Sequence, residues 1–349
     1  MADGGEGTLD AFAAAVAGST LMPARVLGPD NGPVDSEWLL LPDGTGVVEL
    51  ARASGLTLLD PLLPFDAHTF GFGELIADAL DAGVQRLILA IGGSSSTDGG
   101  AGALAALGAE LLDSAGVPIP LGNRGLAALE SVGWAKVRPV PESVLVLCDV
   151  SNPLLGADGA AAVFGAQKGA IAADIPVLDA NLARFARILG NDPDLPGVGA
   201  AGGTSFGLVA WGAEIRSGAG EITARSGLDA AIADADVVIT GEGRFDSQSA
   251  AGKVPQHIAT LAAELGIARS LVAGLIEAPT DQFTAAVSLT DLAGDSAAAR
   301  SNAAHWLEVA GAELATRWHP TTALVHRRSD GIEPCREAND PAHDDDQPV

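Results

Sequence analysis

The chain has 349 residues, 48% of them apolar and only 4% aromatic, and carries a net charge of −26. That length accommodates two domains and a large core built mainly from Ala, Leu and Val, while the charge opposes nucleic acid and anionic membranes as partners. Cys148 and Cys335 are too few and too far apart for a disulfide framework or a metal site, and the absence of a signal segment or a membrane-length apolar run makes the cytoplasm the expected compartment.

The opening, Met1-Ala-Asp3-Gly4-Gly5-Glu6-Gly7-Thr8, reads as a glycine-rich acidic loop before a helix over 9–17. Residues 25–27, 36–41 and 46–50 are short alternating segments that predict antiparallel strands, with Asp43-Gly44 as a hairpin turn. A helix is expected over 73–82. Residues 87–91 form a buried strand that runs into Gly92-Gly93-Ser94-Ser95-Ser96-Thr97-Asp98-Gly99-Gly100. Beyond it, the spacing of Leu104, Leu107, Leu111 and Leu112 predicts a helix from Ala101 to about Asp113. A second buried strand, 143–148, leads directly into Asp149, and Lys168 follows in a glycine-flanked stretch. An amphipathic helix over 175–189, a glycine-rich polar stretch over 197–207 and a helical run over 208–214 come next. The third buried strand, 236–240, is expected to open into a polar loop carrying Glu242, Arg244 and Asp246, followed by Gly252-Lys253. A strand over 270–276 and a closing helix over 297–315 complete the pattern. Residues 317–349, with scattered charge and no periodicity, read as a disordered tail.

A strand, a glycine-rich loop and a helix start together aim main-chain N–H groups at one point, where a phosphate can sit. Gly92, Gly93, Ser94, Gly99 and Gly100 are the candidates for that cradle. A carboxylate in such a loop does not hold a phosphate, so Asp98 points to a metal or a proton acceptor. An Asp at the carboxyl end of a parallel strand, as Asp149 is expected to be, lies where open α/β sheets place ligands. The chain has only three lysines, Lys136, Lys168 and Lys253, and the last two are flanked by glycine. Tight turns, a capping Asp and a surface ion pair are the plain structural alternatives at these positions. If the three buried strands are parallel neighbours, their loops converge on one crevice that combines N–H groups, carboxylates able to hold Mg²⁺ and a few cations. Phosphoryl transfer uses those parts. The P-loop signature, a dinucleotide Gly-x-Gly-x-x-Gly opening and a Gly-x-Ser-x-Gly elbow are all absent, and His68 and His257 alone precede the last helix, which argues against a His-based triad or zinc site.

Three long segments together resemble the bacterial type I glycerate kinase family. They are Ile91 to Gly102; Asp149 to Gly156 with Val163 to Gly169; and Ile239 to Ser249 with Gly252-Lys-Val-Pro255. The opening Ala2 to Thr8 is similar to a fourth motif of that family, and the resemblance runs in order over about 1–316. It implies an α/β fold of two domains, a Rossmann-like parallel-sheet domain and a mixed α/β domain, with the active site between them. The expected division is 1–20 with 225–316 for the first and 21–224 for the second.

The resemblance also implies ATP- and Mg²⁺-dependent phosphorylation of D-glycerate, with the 2-hydroxyl expected as acceptor, in glycerate, glyoxylate or sugar-acid catabolism. It carries Asp98, Asp149, Lys168, Glu242, Arg244, Asp246 and Lys253 into the site. Chemistry then suggests Asp246 or Asp149 as the base for the substrate hydroxyl, Glu242 and Asp98 as Mg²⁺ ligands, and Arg244, Lys253 and Lys168 as the grip on the carboxylate or the transferring phosphoryl group. Members of the family begin with a further strand–loop–helix–strand unit, so this chain is expected to be an N-terminally shortened member. A non-catalytic paralogue acting as a binding module, and a kinase of another small hydroxy acid, are the competing expectations.

Overall fold

The computed structural model describes residues 4–218, 221, 228–246 and 254–317. Lys253, residues 247–249 and the expected tail from 318 onward lie outside the described residues. In chain order the elements begin with α1 (Thr8–Ala15), β1 (Thr20–Leu27), β2 (Pro33–Leu40), β3 (Thr45–Glu49), α2 (Ala51–Ser54), α3 (Phe70–Asp81) and β4 (Arg86–Ala90). There follow α4 (Ala101–Ala106), β5 (Glu110–Leu112), α5 (Asn123–Leu126), β6 (Ser131–Gly133), β7 (Ser143–Leu147), α6 (Ala160–Phe164), α7 (Ile175–Leu189), α8 (Ala200–Trp211) and β8 (Glu214–Arg216). The C-terminal part holds α9 (Leu228–Ala233), β9 (Val237–Phe245), α10 (Val254–Glu264), β10 (Ala268–Ile276), β11 (Ala285–Ser288), α11 (Leu289–Ala293), α12 (Ser296–Ser301) and α13 (Ala303–Arg317).

The first unit is built on a six-stranded sheet in the order β1-β2-β3-β4-β7-β8. The hairpin β1-β2 and the pair β2-β3 are antiparallel, whereas β3, β4, β7 and β8 run parallel. Alternation along the central strands decides what each face covers. Val48, Leu87, Leu89, Val144 and Val146 join one large core with residues of α3, α4, α7 and α8, while Val47, Ile88 and Leu147 meet Leu9 and Phe12 of α1 on the other face. Residues 1–20 were expected to belong with 225–316, but the buried side chains of α1 pack on this six-stranded sheet. The second unit has a parallel sheet of order β11-β10-β9, with its own small cores. The fold is thus α/β, with one mixed sheet, one parallel sheet and a small antiparallel pair, β5-β6.

Three departures from the sequence expectation have simple causes. The helix from Ala101 stops at Ala106, because Gly108 takes φ +107° and packs so tightly that a Cβ there would lie 2.3 Å from the Lys136 carbonyl oxygen. Leu111 and Leu112 then fall in β5, which pairs with β6. Glu242 and Arg244, expected in a loop, sit in β9, whose pairing with β10 continues to Phe245 opposite Ile276. The closing helix is divided at Asn302, the C-cap of α12, with φ −140°.

Phe185 of α7 is fully buried and meets Phe206 of α8 edge to face at 6.1 Å. Replacing Phe185 by Ala is expected to cost about 3–5 kcal/mol, read as a lower urea midpoint at unchanged secondary structure.

Candidate active site

The carboxyl ends of β4 and β7 open onto a cavity of about 430 Å³. Gly92, Gly93 and Ser94 line it from the loop after β4, Cys148, Asp149 and Val150 from the segment after β7, and Gly4 and Gly5 from the opening loop. Phe164, Gln167, Lys168, Ala200 and Ala201 close the remaining side. Of the residues picked from sequence, Gly92, Gly93, Ser94, Asp149 and Lys168 therefore share one cavity.

The loop after β4 is held from several directions. The Gly92 N–H donates to the Gly4 carbonyl at 2.9 Å, the Ser95 N–H and hydroxyl donate to the Ser54 carbonyl, and the Leu56 N–H donates to Gly93 O at 2.8 Å. Gly93 has φ +75°, a conformation that favours glycine. Asp98 does not line the cavity. It is fully buried, and its Oδ2 accepts from the Thr69 N–H (2.9 Å), the Thr69 hydroxyl (2.8 Å) and the Gly102 N–H (3.1 Å), while Oδ1 accepts from the Gly100 N–H (3.1 Å). This carboxylate shapes the loop rather than facing a ligand, and the expected metal-binding part for Asp98 gives way to that structural one. Gly99 and Gly100 serve close packing. A Cβ at Gly99 would lie 2.8 Å from the Phe185 ring and one at Gly100 2.8 Å from the Thr204 carbonyl oxygen.

Lys168 is 2% exposed, and its ammonium donates to the Ser96 carbonyl. Burial pulls its pKa from the ordinary 10.5 to about 7, against the opposing pull of the Asp98 carboxylate. Around it the chain makes an unusual turn. Ala201, Gly202 and Gly203 are consecutively left-handed, with φ of 54°, 70° and 83°. A Cβ at Gly202 would lie 2.0 Å from the Ser96 carbonyl oxygen and 2.7 Å from Lys168 Nζ, so glycine is required there. The glycine density of 197–207 was the only sequence signal for this turn, and Thr69 gave none.

Asp149 is exposed, and its Oδ1 accepts from the Ser217 hydroxyl at 2.8 Å and the Gly218 N–H at 3.1 Å. The neighbouring Cys148 thiol donates to Val150 O at 3.2 Å, and burial raises its pKa, so it is a poor nucleophile. His68 is fully buried, with Nε2 unpartnered and its pKa lowered by burial.

Of the other described candidates, Glu242, Arg244 and Asp246 do not line this cavity. Glu242 and Arg244 line a second cavity of about 820 Å³ between β9, β10 and α11–α13, which shares no lining residue with the first. Arg244 pairs with Glu277, Nε at 2.8 Å, and lies 3.9 Å from Asp246. Among the described residues, neither Asp98 nor Asp246 lines the cavity that holds Asp149.

The glycerate kinase family model matches residues 1–319. The chain belongs to the glycerate kinase family. It is 43% identical over 290 residues to the glycerate 2-kinase of Escherichia coli K12, covering 78% of this chain and 75% of that protein. Against the glycerate kinase of Bacillus subtilis 168 the identity is 42% over 287 residues, covering 79% and 75%. The crystal structure of a protein described as glycerate kinase 2 from Salmonella typhimurium LT2 superimposes with a TM-score of 0.74 at 42% identity, covering 82% of this chain and 79% of that one. As a member of this family the chain is an ATP-dependent kinase.

The Lys168 environment has a defined pH signature. Its pKa is lower in the folded than in the unfolded chain, so the unfolded state binds more protons between about pH 7 and 10.5. The stability contribution is therefore fully present above 10.5 and lost as the pH falls towards 7. Urea unfolding of wild type and Lys168→Met is expected to show wild type gaining on the variant from pH 7 to pH 9.5.

Proposed function

We propose that this glycerate kinase family member transfers the ATP γ-phosphoryl group to the 2-hydroxyl of D-glycerate, giving 2-phosphoglycerate in the breakdown of glycerate, glyoxylate or sugar acids. The observation that carries the reading is one cavity in which glycine-rich main chain, an exposed carboxylate and a buried lysine meet at the ends of two parallel strands. Most of the work in such a transfer is positioning and charge stabilisation.

In this reading Gly92, Gly93 and Ser94 cradle the anionic group, and Lys168 balances its charge. Anion binding raises the lysine's proton affinity and so favours its cationic form. Asp149 is the favoured base: it is exposed at the cavity, and Ser217 and Gly218 hold one of its oxygens. It would take the proton of the glycerate hydroxyl as that oxygen attacks phosphorus. Asp246 is the other candidate, with Arg244 and Lys253 as further cationic grips on phosphate or carboxylate.

Mg²⁺ is tested against the donors present. Among the described residues no group of three or more His, Cys, Asp or Glu could hold a metal. Both Asp98 oxygens are occupied, whereas Glu242 Oε1 is buried without a hydrogen-bond partner, which a cation would satisfy. Mg²⁺ commonly takes one or two carboxylates and completes its shell with water and phosphate oxygens, and Glu242 fits that sparse protein share. Glu242 lines the second cavity, so an ion held there would neutralise the charge of those phosphates that extend to it from the glycine cradle.

The reading is tested by a coupled assay for ADP release with D-glycerate and a panel of small hydroxy acids, the product being identified by NMR. Asp149→Asn is expected to lower kcat by about 10²–10⁴-fold, the range for a lost general base, at wild-type unfolding midpoint. The same loss in Asp246→Asn with Asp149→Asn near wild type transfers the role to Asp246.

A further inference from the structure

Glu49 belongs to none of the sequence motifs, and the chemistry above does not use it. It is the last residue of β3 and is 1% exposed. Its Oε1 accepts from the Gly7 N–H at 3.0 Å and its Oε2 from the Leu9 N–H at 2.9 Å. Arg52, three residues on, pairs with Asp10 and Glu37 instead. A buried carboxylate is tolerable only where donors satisfy it, and the amino end of α1 supplies both N–H groups and the favourable end of a helix dipole. Gly7 and Leu9 therefore direct their N–H groups to the protein's own carboxylate and not to a ligand.

The segment so anchored forms a wall of the cavity. Gly4 and Gly5 line it, and the Gly92 N–H donates to Gly4 O. The fit leaves no slack. A Cβ at Gly92 would lie 2.4 Å from Gly5 Cα, and one at Gly4, where φ is +93°, 2.8 Å from Leu147 Cβ. The opening loop is thus wedged against the ends of β4 and β7 and tied to the end of β3 by a single side chain.

We infer that Glu49 is a positioning residue for phosphoryl transfer, fixing the Gly4–Gly7 loop against Gly92 so that two glycine loops shape one anion-binding wall. The inference rests on the glycerate kinase reading for its kinetic consequence, and on the hydrogen bonds alone for its structural one. Glu49→Gln keeps the size of the side chain but turns an amide NH₂ towards one of the two donors.

Hydrogen exchange and kinetics test it together. In Glu49→Gln, amide exchange is expected to quicken in both 4–9 and 91–96, with the rest of β4 and β7 unchanged. The value of kcat/KM is expected to fall on the order of tenfold to hundredfold, as displaced binding groups cause. Glu37→Gln, which removes an ion pair of Arg52, is the control and keeps wild-type kinetics. Unchanged exchange at 91–96 overturns the inference, as does faster exchange in both segments with unaltered kinetics. Wild-type chain without ATP-dependent glycerate phosphorylation overturns the functional reading instead, and the exchange result then decides Glu49 alone. If Glu49→Gln does not fold, Glu49→Asp, which keeps the charge and shortens the reach, is read by the same two measurements.

Discussion

The buried carboxylate of Asp98 is the constraint on which the site's geometry depends. Four donors converge on it, from the start of α3 at Thr69 and the start of α4 at Gly100 and Gly102. Two helix amino ends thereby find a common acceptor, and the polar chain between Ser94 and Asp98 stays buried without forming regular structure. Thr69 extends the arrangement, since its hydroxyl also accepts from the Ala103 N–H at 2.9 Å. A neutral side chain would leave at least one of these donors without its acceptor, and a buried unmet donor costs about 1–3 kcal/mol.

Lys168 completes this inner layer from a distant part of the chain. Its ammonium ties the short 3-10 turn Ala166–Lys168 after α6 to Ser96, and the left-handed turn at Ala201–Gly203 closes over both. Ala201 is the one non-glycine residue in that turn, and such a backbone costs an L-residue about 1–2 kcal/mol. Strain of this size is sustained where surrounding contacts fix the conformation, here the Gly99 N–H to Gly202 O bond at 3.1 Å and the Gly207 N–H to Gly99 O bond at 3.0 Å.

Much of this was legible in the residues. The apolar strands ending at Gly92 and Asp149 are parallel neighbours, and α7 spans Ile175–Leu189 as its periodicity indicates. The leucine spacing up to Leu112 masked a local stop: Gly108 is left-handed and the Ala109 N–H donates back to Leu104 O at 2.9 Å, which ends the helix. Other features were hidden because they depend on tertiary partners. Glu242 and Arg244 look like loop residues until β10 supplies Ala273 and Leu275 as their register partners. Asp98 carries the same letter as a catalytic Asp, and nothing local distinguishes a carboxylate surrounded by four protein donors from one that faces a ligand. Glu49 was invisible for the opposite reason: a single acidic residue at the end of an apolar strand has no motif.

The state of Lys168 has a chemical consequence. Burial that draws the amine down to about 7 lets it gain or lose its proton near neutral pH, whereas an ordinary exposed lysine is almost wholly protonated there. Among the described residues Lys136 is the other lysine, and its ammonium is exposed and paired with Glu110. An anion entering the cavity would thus draw a proton from solution onto Lys168, whereas one meeting Lys136 would find that amine already charged.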